Sequence, residues 1–290
     1  MPSTSPELRV GCAMWAHKPW VGRYLSGTGR DLAEYATWCN AVEGNTTFYA
    51  VPSARTVQRW VEQAPADFRF AFKVPRAVTH EQRLHRNAHH DLAAFLRTIE
   101  PLGDRIGPLQ LQLPPSFGPG LLPQLAAFVV GLPTAHEWVV ELRHPAFFDG
   151  GPTHRAVDEA LARAGVGRVV LDTRALYAAA VTSEPAAQER RTKPRLPVVT
   201  DVMGDAPVVR VIGGDDLGGV VRGLLAWVER IETWLAEGRR PYVFAHQPEN
   251  RDSPALARRL HAAVAGRVRG LRPLGEPERP DRGAEEATLF

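Results

Sequence analysis

Nine polar side chains interrupt segments that otherwise read as buried β-strands: Glu43, Asn45, Lys73, Gln110, Gln112, Glu141, Arg143, Asp172 and Arg210. Three acids face three bases in this set, and such a combination can do specific chemistry. Arginine presents a planar fork of donors that fits a carboxylate or a phosphate. A carboxylate tuned by burial and by cationic neighbours can serve as a general acid or base. We therefore assign Glu43, Lys73, His80, Glu141 and Asp172 as candidate catalytic residues. Asn45, Tyr49, Trp15, Arg143, His144, Arg210 and His246 are candidate substrate-binding residues. Lys73 has a second option, because an amine desolvated beside other cations becomes a nucleophile towards carbonyl carbon. The competing reading is a structural ion-pair network, in which the three acids only neutralise the three bases.

Further groups fall just past the strand ends. His80 follows the third strand-like run, His144 follows the fifth, and His246 ends the eighth. His80 or His144 would suit a proton shuttle. Together with the acids the three histidines raise a divalent metal as an alternative, although no HxH or HExxH spacing is present. The assignment is accordingly no cofactor, with a metal-dependent phosphodiester hydrolase as a rival function. Trp15, Trp20, Phe48 and Tyr49 could stack on a ring or cap the core. The run "VIGGDDLGG" (211–219) lacks the GxGxxG spacing and reads as turns, and no GxSxG is present.

The elements that must carry these residues follow from periodicity. Strand-like runs cover 8–15, 41–48, 68–74, 107–114, 137–144, 167–173, 207–213 and 241–246. Helix-periodic runs cover 31–40, 53–64, 91–102, 121–132, 153–165, 218–238 and 253–266. Strands joined through helices lie parallel. Eight of them at this length predict a single (β/α)8 TIM-type barrel over residues 8–266. Residues 174–206, rich in Pro and Arg, predict a long loop between strands six and seven, with a short helical piece at 174–181. Residues 1–7 and 271–290 read as flexible termini.

Strand side chains alternate between faces. The large apolar set, such as Phe68, Phe70 and Phe72, would meet the helices. The polar set would then line the barrel interior, near the C-terminal ends of the strands where such barrels carry their sites.

The bulk numbers narrow the function classes. The chain has 290 residues, 44% hydrophobic and 23% charged, with a formal net charge of +3. That is a globular composition without a nucleic-acid footprint over the whole molecule. Arg190, Arg191, Lys193 and Arg195 form a local basic run that could contact nucleic-acid phosphate, a partner that the overall charge does not favour. Cys12 and Cys39 have neither CxxC spacing nor the numbers of a disulfide framework and read as reduced thiols. The absence of a signal-like N-terminus and of a run of about 18 apolar residues predicts a cytoplasmic protein with no membrane partner.

Four ordered motifs carry a resemblance: "EGNTTFY" (43–49), "FRFAFKVPRAVTH" (68–80), "LQLPPSF" (111–117) and "VVELRHPAFF" (139–148). Together they resemble the YecE-like family, a domain of unknown function numbered 72, from about Val10 to Ala263. The resemblance implies a TIM-barrel fold and no established reaction. It places the family's motif acids and bases on Glu43, Asn45, Phe48, Tyr49, Lys73, Thr79, His80, Glu141, Arg143, His144 and Asp172. Two departures stand out. The family's Arg-x-His-Gly at the end of strand seven is here Arg210, Val211, Ile212, Gly213, and its strand-eight Asn is replaced by Ala245-His246. The function expected is acid/base chemistry on a small anionic molecule, a carboxylate or phosphate, at the C-terminal mouth.

Overall fold

The computed structural model describes residues 5–201 and 203–277. Among the described residues eight short strands recur: β1 (Arg9–Cys12), β2 (Ala41–Gly44), β3 (Arg69–Phe72), β4 (Leu109–Gln112), β5 (Trp138–Glu141), β6 (Gly167–Asp172), β7 (Val208–Ile212) and β8 (Tyr242–His246). Between and after them come α1 (Asp31–Trp38), α2 (Thr46–Tyr49), α3 (Ala54–Gln63), α4 (Ala88–Ile99), α5 (Leu122–Val130), α6 (Pro152–Arg163), α7 (Arg174–Ala178) and α8 (Glu184–Thr192). The series ends with α9 (Leu217–Leu225), α10 (Val228–Ala236) and α11 (Ser253–Ala265). Local chemistry sets several starts. The Ser53 hydroxyl accepts from the Thr56 amide at 3.1 Å and caps α3. The Ser183 hydroxyl does the same for α8, at 3.2 Å from the Ala186 amide.

The strands pair in parallel, but they do not close into the expected eight-stranded barrel. One curled sheet of six strands runs β1-β8-β7-β6-β5-β4, and β2 and β3 form a separate pair. Two seams break the circle. At the first, side chains take the backbone groups that a β1–β2 ladder would use. The Val10 amide donates to Asn40 Oδ1 at 2.8 Å, and Asn40 Nδ2 donates to the Leu8 carbonyl at 2.8 Å. The Cys12 amide donates to the Tyr35 hydroxyl at 2.8 Å, which in turn donates to the Ala41 carbonyl at 2.9 Å. At the second seam, β3 and β4 meet only through the isolated bridges Phe70–Ile106 and Lys73–Gln110.

Alternation still sorts the side chains into two layers. On the helix side Val10, Val42, Phe70, Phe72, Leu109, Leu111, Val140, Val170, Val209, Val211 and Val243 join the main core. On the other face a smaller apolar cluster of Ala41, Ala71, Val139, Val169, Val208, Tyr242 and Phe244 packs together. Two residues further along these strands, on the same face, come Glu43, Lys73, Glu141, Leu171, Arg210 and His246. The apolar cluster is therefore a dry floor beneath a polar layer.

Four local expectations differ from what is observed. β2 stops at Gly44, and Asn45 is already helical at φ −76°, ψ −23°, ahead of α2. The Thr47 hydroxyl lies 2.9 Å from the Gly44 carbonyl and 2.6 Å from the Lys73 carbonyl. A residue type that favours strands here turns the chain instead. In the excursion at 174–206, α7 falls within the helical piece expected at 174–181, whereas α8 occupies a stretch expected as loop. The run expected as one helix over 218–238 is interrupted at Ala226 and Trp227, where the indole donates to Asp172 Oδ2 at 2.9 Å. His80, expected in a loop, sits in a π-helical turn (Ala77–Glu81).

Of the termini, residues 1–4 and 278–290 lie outside the described residues. The described part of the C-terminal segment has no helix or strand, but Arg272 pairs with Asp67 at 2.7 Å and Glu276 with Arg258 at 2.7 Å. Among the described residues no helix is long and apolar enough to cross a membrane.

Candidate functional site

Arg210, near the end of β7, reaches across the interior to two acids on other strands. Its Nη1 donates to Glu141 Oε2 at 2.7 Å, and its Nη2 donates to Glu43 Oε2 at 3.1 Å. Its Nε lies 2.5 Å from Glu43 Oε1, out of line for a hydrogen bond, so that contact is Coulombic. Glu141 is also met by Gln110 Nε2 at 2.6 Å and by Arg143 Nε and Nη2, each 2.6 Å from Oε1. Glu43 is met by Asn45 Nδ2 at 2.9 Å and by His246 Nε2 at 3.3 Å. Asn45 spends its second amide proton on the Ala13 carbonyl, 3.0 Å away, and so links the ends of β1 and β2.

These contacts fix the charge states. Burial alone would raise both carboxyls. For Glu43, Arg210, then Lys73 and His246 reverse this and hold it well below the usual range. For Glu141, Arg143, Arg210 and Lys73 do the same. Burial likewise disfavours the charged Arg210, yet its two acids more than compensate and raise its pKa. Lys73 behaves differently. It is 6% exposed, and its Nζ donates to a neutral acceptor, Gln112 Oε1, at 2.9 Å. Burial and then Arg210 lower it to about 7, against the pull of Glu43 and Glu141. Burial also lowers His246, although Glu43 opposes it. His80 falls to about 4 through burial and the charges of Arg143, Arg76 and Lys73.

The structure thus brings Glu43, Asn45, Lys73, Glu141, Arg143, Arg210 and His246 into one cluster, with His80 within range of its charges. Asp172 does not join. It shares the helix-side face of β6 with Val170, where it accepts from the Trp227 indole and from Arg174 Nε and Nη2 at 2.9 and 2.7 Å. Leu171 points inward in its place and packs with Leu176 and Ile212. In "GRVVLDT" the face with Arg168, Val170 and Asp172 is the more polar one, which alternation assigns to the interior; here it meets the helices, and Arg168 pairs with Asp158 of α6 at 2.7 Å. His144 caps the turn Pro145–Phe147 by accepting from the Ala146 amide at 3.2 Å. Trp15 packs edge-on against Trp60 and Phe70, on the helix side. Tyr49 is 75% exposed beside Phe48, whose ring is 4.9 Å from that of His80.

Three site residues escaped the sequence assignment. Gln110 and Gln112 were visible as inward polar residues, but their roles as partners of Glu141 and Lys73 were not. Lys193 was grouped with the basic run, yet its side chain is largely buried and lies within range of Arg210, Arg143 and Glu141. No periodicity could have signalled this, because Lys193 lies outside any strand. The other members of that run are engaged within the protein. Arg190 donates to the Leu176 carbonyl at 2.8 Å, Arg191 pairs with Glu184 at 2.5 Å, and Arg195 lies over the Tyr177 ring. Among the described residues no three His, Cys, Asp or Glu side chains converge as a metal ion would need.

Fold and site together define an α/β protein of parallel strands with a buried arginine–carboxylate cluster at the strands' C-terminal ends. The model of the family described as "Protein of unknown function DUF72" matches residues 9–281, and the chain belongs to that family. It is 38% identical over 251 residues to UPF0759 protein YecE of Escherichia coli K12, covering 87% of this chain and 90% of that one. It also shares its overall fold with crystal structures of DUF72 family proteins. One from Enterococcus faecalis V583 has TM-score 0.64 at 18% identity, covering 89% of this chain and 97% of that one. One from Thermotoga maritima MSB8 has TM-score 0.61 at 22% identity, covering 89% and 96%. At position 212, where the motif resemblance leads one to expect histidine, Ile212 is buried, and His246 stands beside it in register on β8.

Proposed function

We propose that this chain is an enzyme that performs acid/base chemistry on a small molecule bearing a carboxylate or phosphate. The substrate would bind over the cluster at the C-terminal ends of the strands. The observation that carries this reading is Lys73, a buried amine whose hydrogen-bond partner is a neutral amide and which titrates near 7. An acid or base works best when its pKa lies near the working pH. Glu43 and Glu141 are poor bases by the same rule, since arginines hold both well below the usual range. Their part is to hold Arg210 in place. With Asp172 outside, the cluster holds two acids against Arg143, Arg210 and Lys73, and this excess of positive charge suits an anion. Arg143, at the edge of the cluster, would meet the substrate's anionic group. His246 would stand by as a second proton carrier.

The test is a screen of small carboxylates and phosphate esters for binding and turnover, repeated on Lys73→Met and Glu141→Gln. Lys73→Met should lower turnover by roughly a hundredfold or more. It should leave the melting temperature unchanged or raised, because a costly buried amine is gone. If both variants change only stability, never binding or turnover, the cluster is structural. The same near-neutral amine supports a second reading, attack on a substrate carbonyl to form an imine with loss of water. Borohydride reduction in the presence of pyruvate would then add a fixed mass to Lys73, and no adduct would remove this reading.

A further inference from the structure

Lys193 belongs to the excursion between β6 and β7, and that excursion is tied down at several points. The Thr173 hydroxyl, just past β6, donates to the Pro194 carbonyl at 3.1 Å. The Tyr177 hydroxyl lies 2.7 Å from the Lys193 carbonyl and 3.1 Å from the Arg190 carbonyl. Asp215, beyond β7, accepts from the amides and hydroxyls of Thr182 and Ser183 at 2.6 to 2.9 Å. Residues 173–195 are thereby fastened at the C-terminal ends of β6 and β7, and Lys193 is held by its own backbone next to the cluster.

The cations around the cluster are not equally occupied. Arg143 and Arg210 lie within 2.7 Å of carboxylate oxygens. The Lys193 ammonium has Glu189 at 3.6 Å, and Lys73 has Gln112. Both lysines are buried beyond what their partners compensate. The charges of Arg210 and Arg143 bear on both and hold both below the ordinary lysine range. Two under-compensated ammonium groups beside one cluster are a receptor for more than one negative charge.

We infer that Lys193 and Lys73 form the two arms of a clamp for a dianionic group, which makes the substrate class of this site a phosphate monoester rather than a simple carboxylate. This inference rests on the anion-binding reading given above. The excursion is then a wall of the binding site that carries a specificity-determining residue.

Calorimetry with inorganic phosphate and, separately, acetate tests it on the wild type, Lys193→Gln, Lys193→Arg and Arg143→Gln. Phosphate should bind the wild type more tightly than acetate does. Lys193→Gln should weaken phosphate roughly tenfold, as expected for one charge-assisted contact. It should leave acetate binding nearly unchanged, and Lys193→Arg should restore most of the loss. Phosphate affinity that survives Lys193→Gln but falls in Arg143→Gln would overturn the clamp and leave the anion site standing. Equal loss of both ions in Lys193→Gln would overturn the dianion preference. A wild type that binds neither ion would remove the anion-binding reading itself, and the clamp with it.

Discussion

Arg210 satisfies two carboxylates at once, and all three groups are almost wholly shielded from water. Removing one member of such a group leaves uncompensated charge in a poorly solvated place. Arg210→Met should therefore destabilise the fold by about 3–5 kcal/mol in urea denaturation, the usual cost of breaking a buried pair. Adding Glu43→Gln and Glu141→Gln to it should recover part of that loss, since the charges left behind are then gone. A triple variant less stable than the single one would show that the side chains matter by shape rather than charge. Glu43, Lys73, Glu141 and Arg210 were legible in the sequence because each breaks an apolar run whose other face is plainly the core face. Asp172 was misplaced because its face of β6 also carries Arg168 and so is the more polar one, yet on this strand that face meets the helices. A polar residue in such a run has two places to go, and here Trp227 and Arg174 offer partners on the outer one.

At the scale of elements, the strand count and order could be read from periodicity, while closure could not. Hydrophobic alternation reports which face of a strand is buried. It says nothing about what occupies the strand's edges. The β1 edge facing β2 is occupied by Asn40 and by Tyr35, the latter from α1. Neither residue is unusual as a type, and only the packing of α1 beneath the seam gives Tyr35 this job. Tyr35→Phe keeps the ring stacked on Trp20 and edge-on to Trp38 and Phe68 but removes the bridging hydroxyl. The Cys12 amide and the Ala41 carbonyl would each lose a buried partner, at a cost of about 1–3 kcal/mol. Hydrogen exchange at the Cys12 amide should accelerate relative to Val243 within the ladder. Unchanged exchange would mean that the two backbones move together and pair directly. The excursion after β6 follows the same logic. Its Pro and Arg content reads as loop, yet Ser183 caps α8, and Arg190 binds it back to α7 through the Leu176 carbonyl.

For the whole molecule, the shifted groups combine into one stability profile with pH. Glu43 and Glu141 titrate below their unfolded values. Between those values the unfolded chain binds more protons, so their contribution is present above about pH 4.5 and is lost as pH falls. His80, lowered to about 4, acts in the same direction up to the ordinary histidine value near 6.5, and so does His246. Lys73 extends the trend. Its native value is about 7 and its unfolded value about 10.4, so across that window folding releases a proton and stability rises with pH. The opposing groups act later. Burial raises Cys12, Tyr35 and Tyr242 above their ordinary values. The unfolded chain loses those protons first, from about pH 8.5 to 10 upwards, and stability then falls. The melting temperature should thus climb from acid through neutrality and peak between about pH 8 and 9.5, on the alkaline side of the usual optimum. In Lys73→Met the slope between about pH 7 and 8.5 should flatten, while the acid limb, set by the carboxylates and histidines, should remain. A wild-type maximum near pH 5 or 6, or a Lys73→Met profile parallel to the wild type, would mean that Lys73 keeps an ordinary pKa in the folded protein, and its assignment as the proton-transfer group would fall with it.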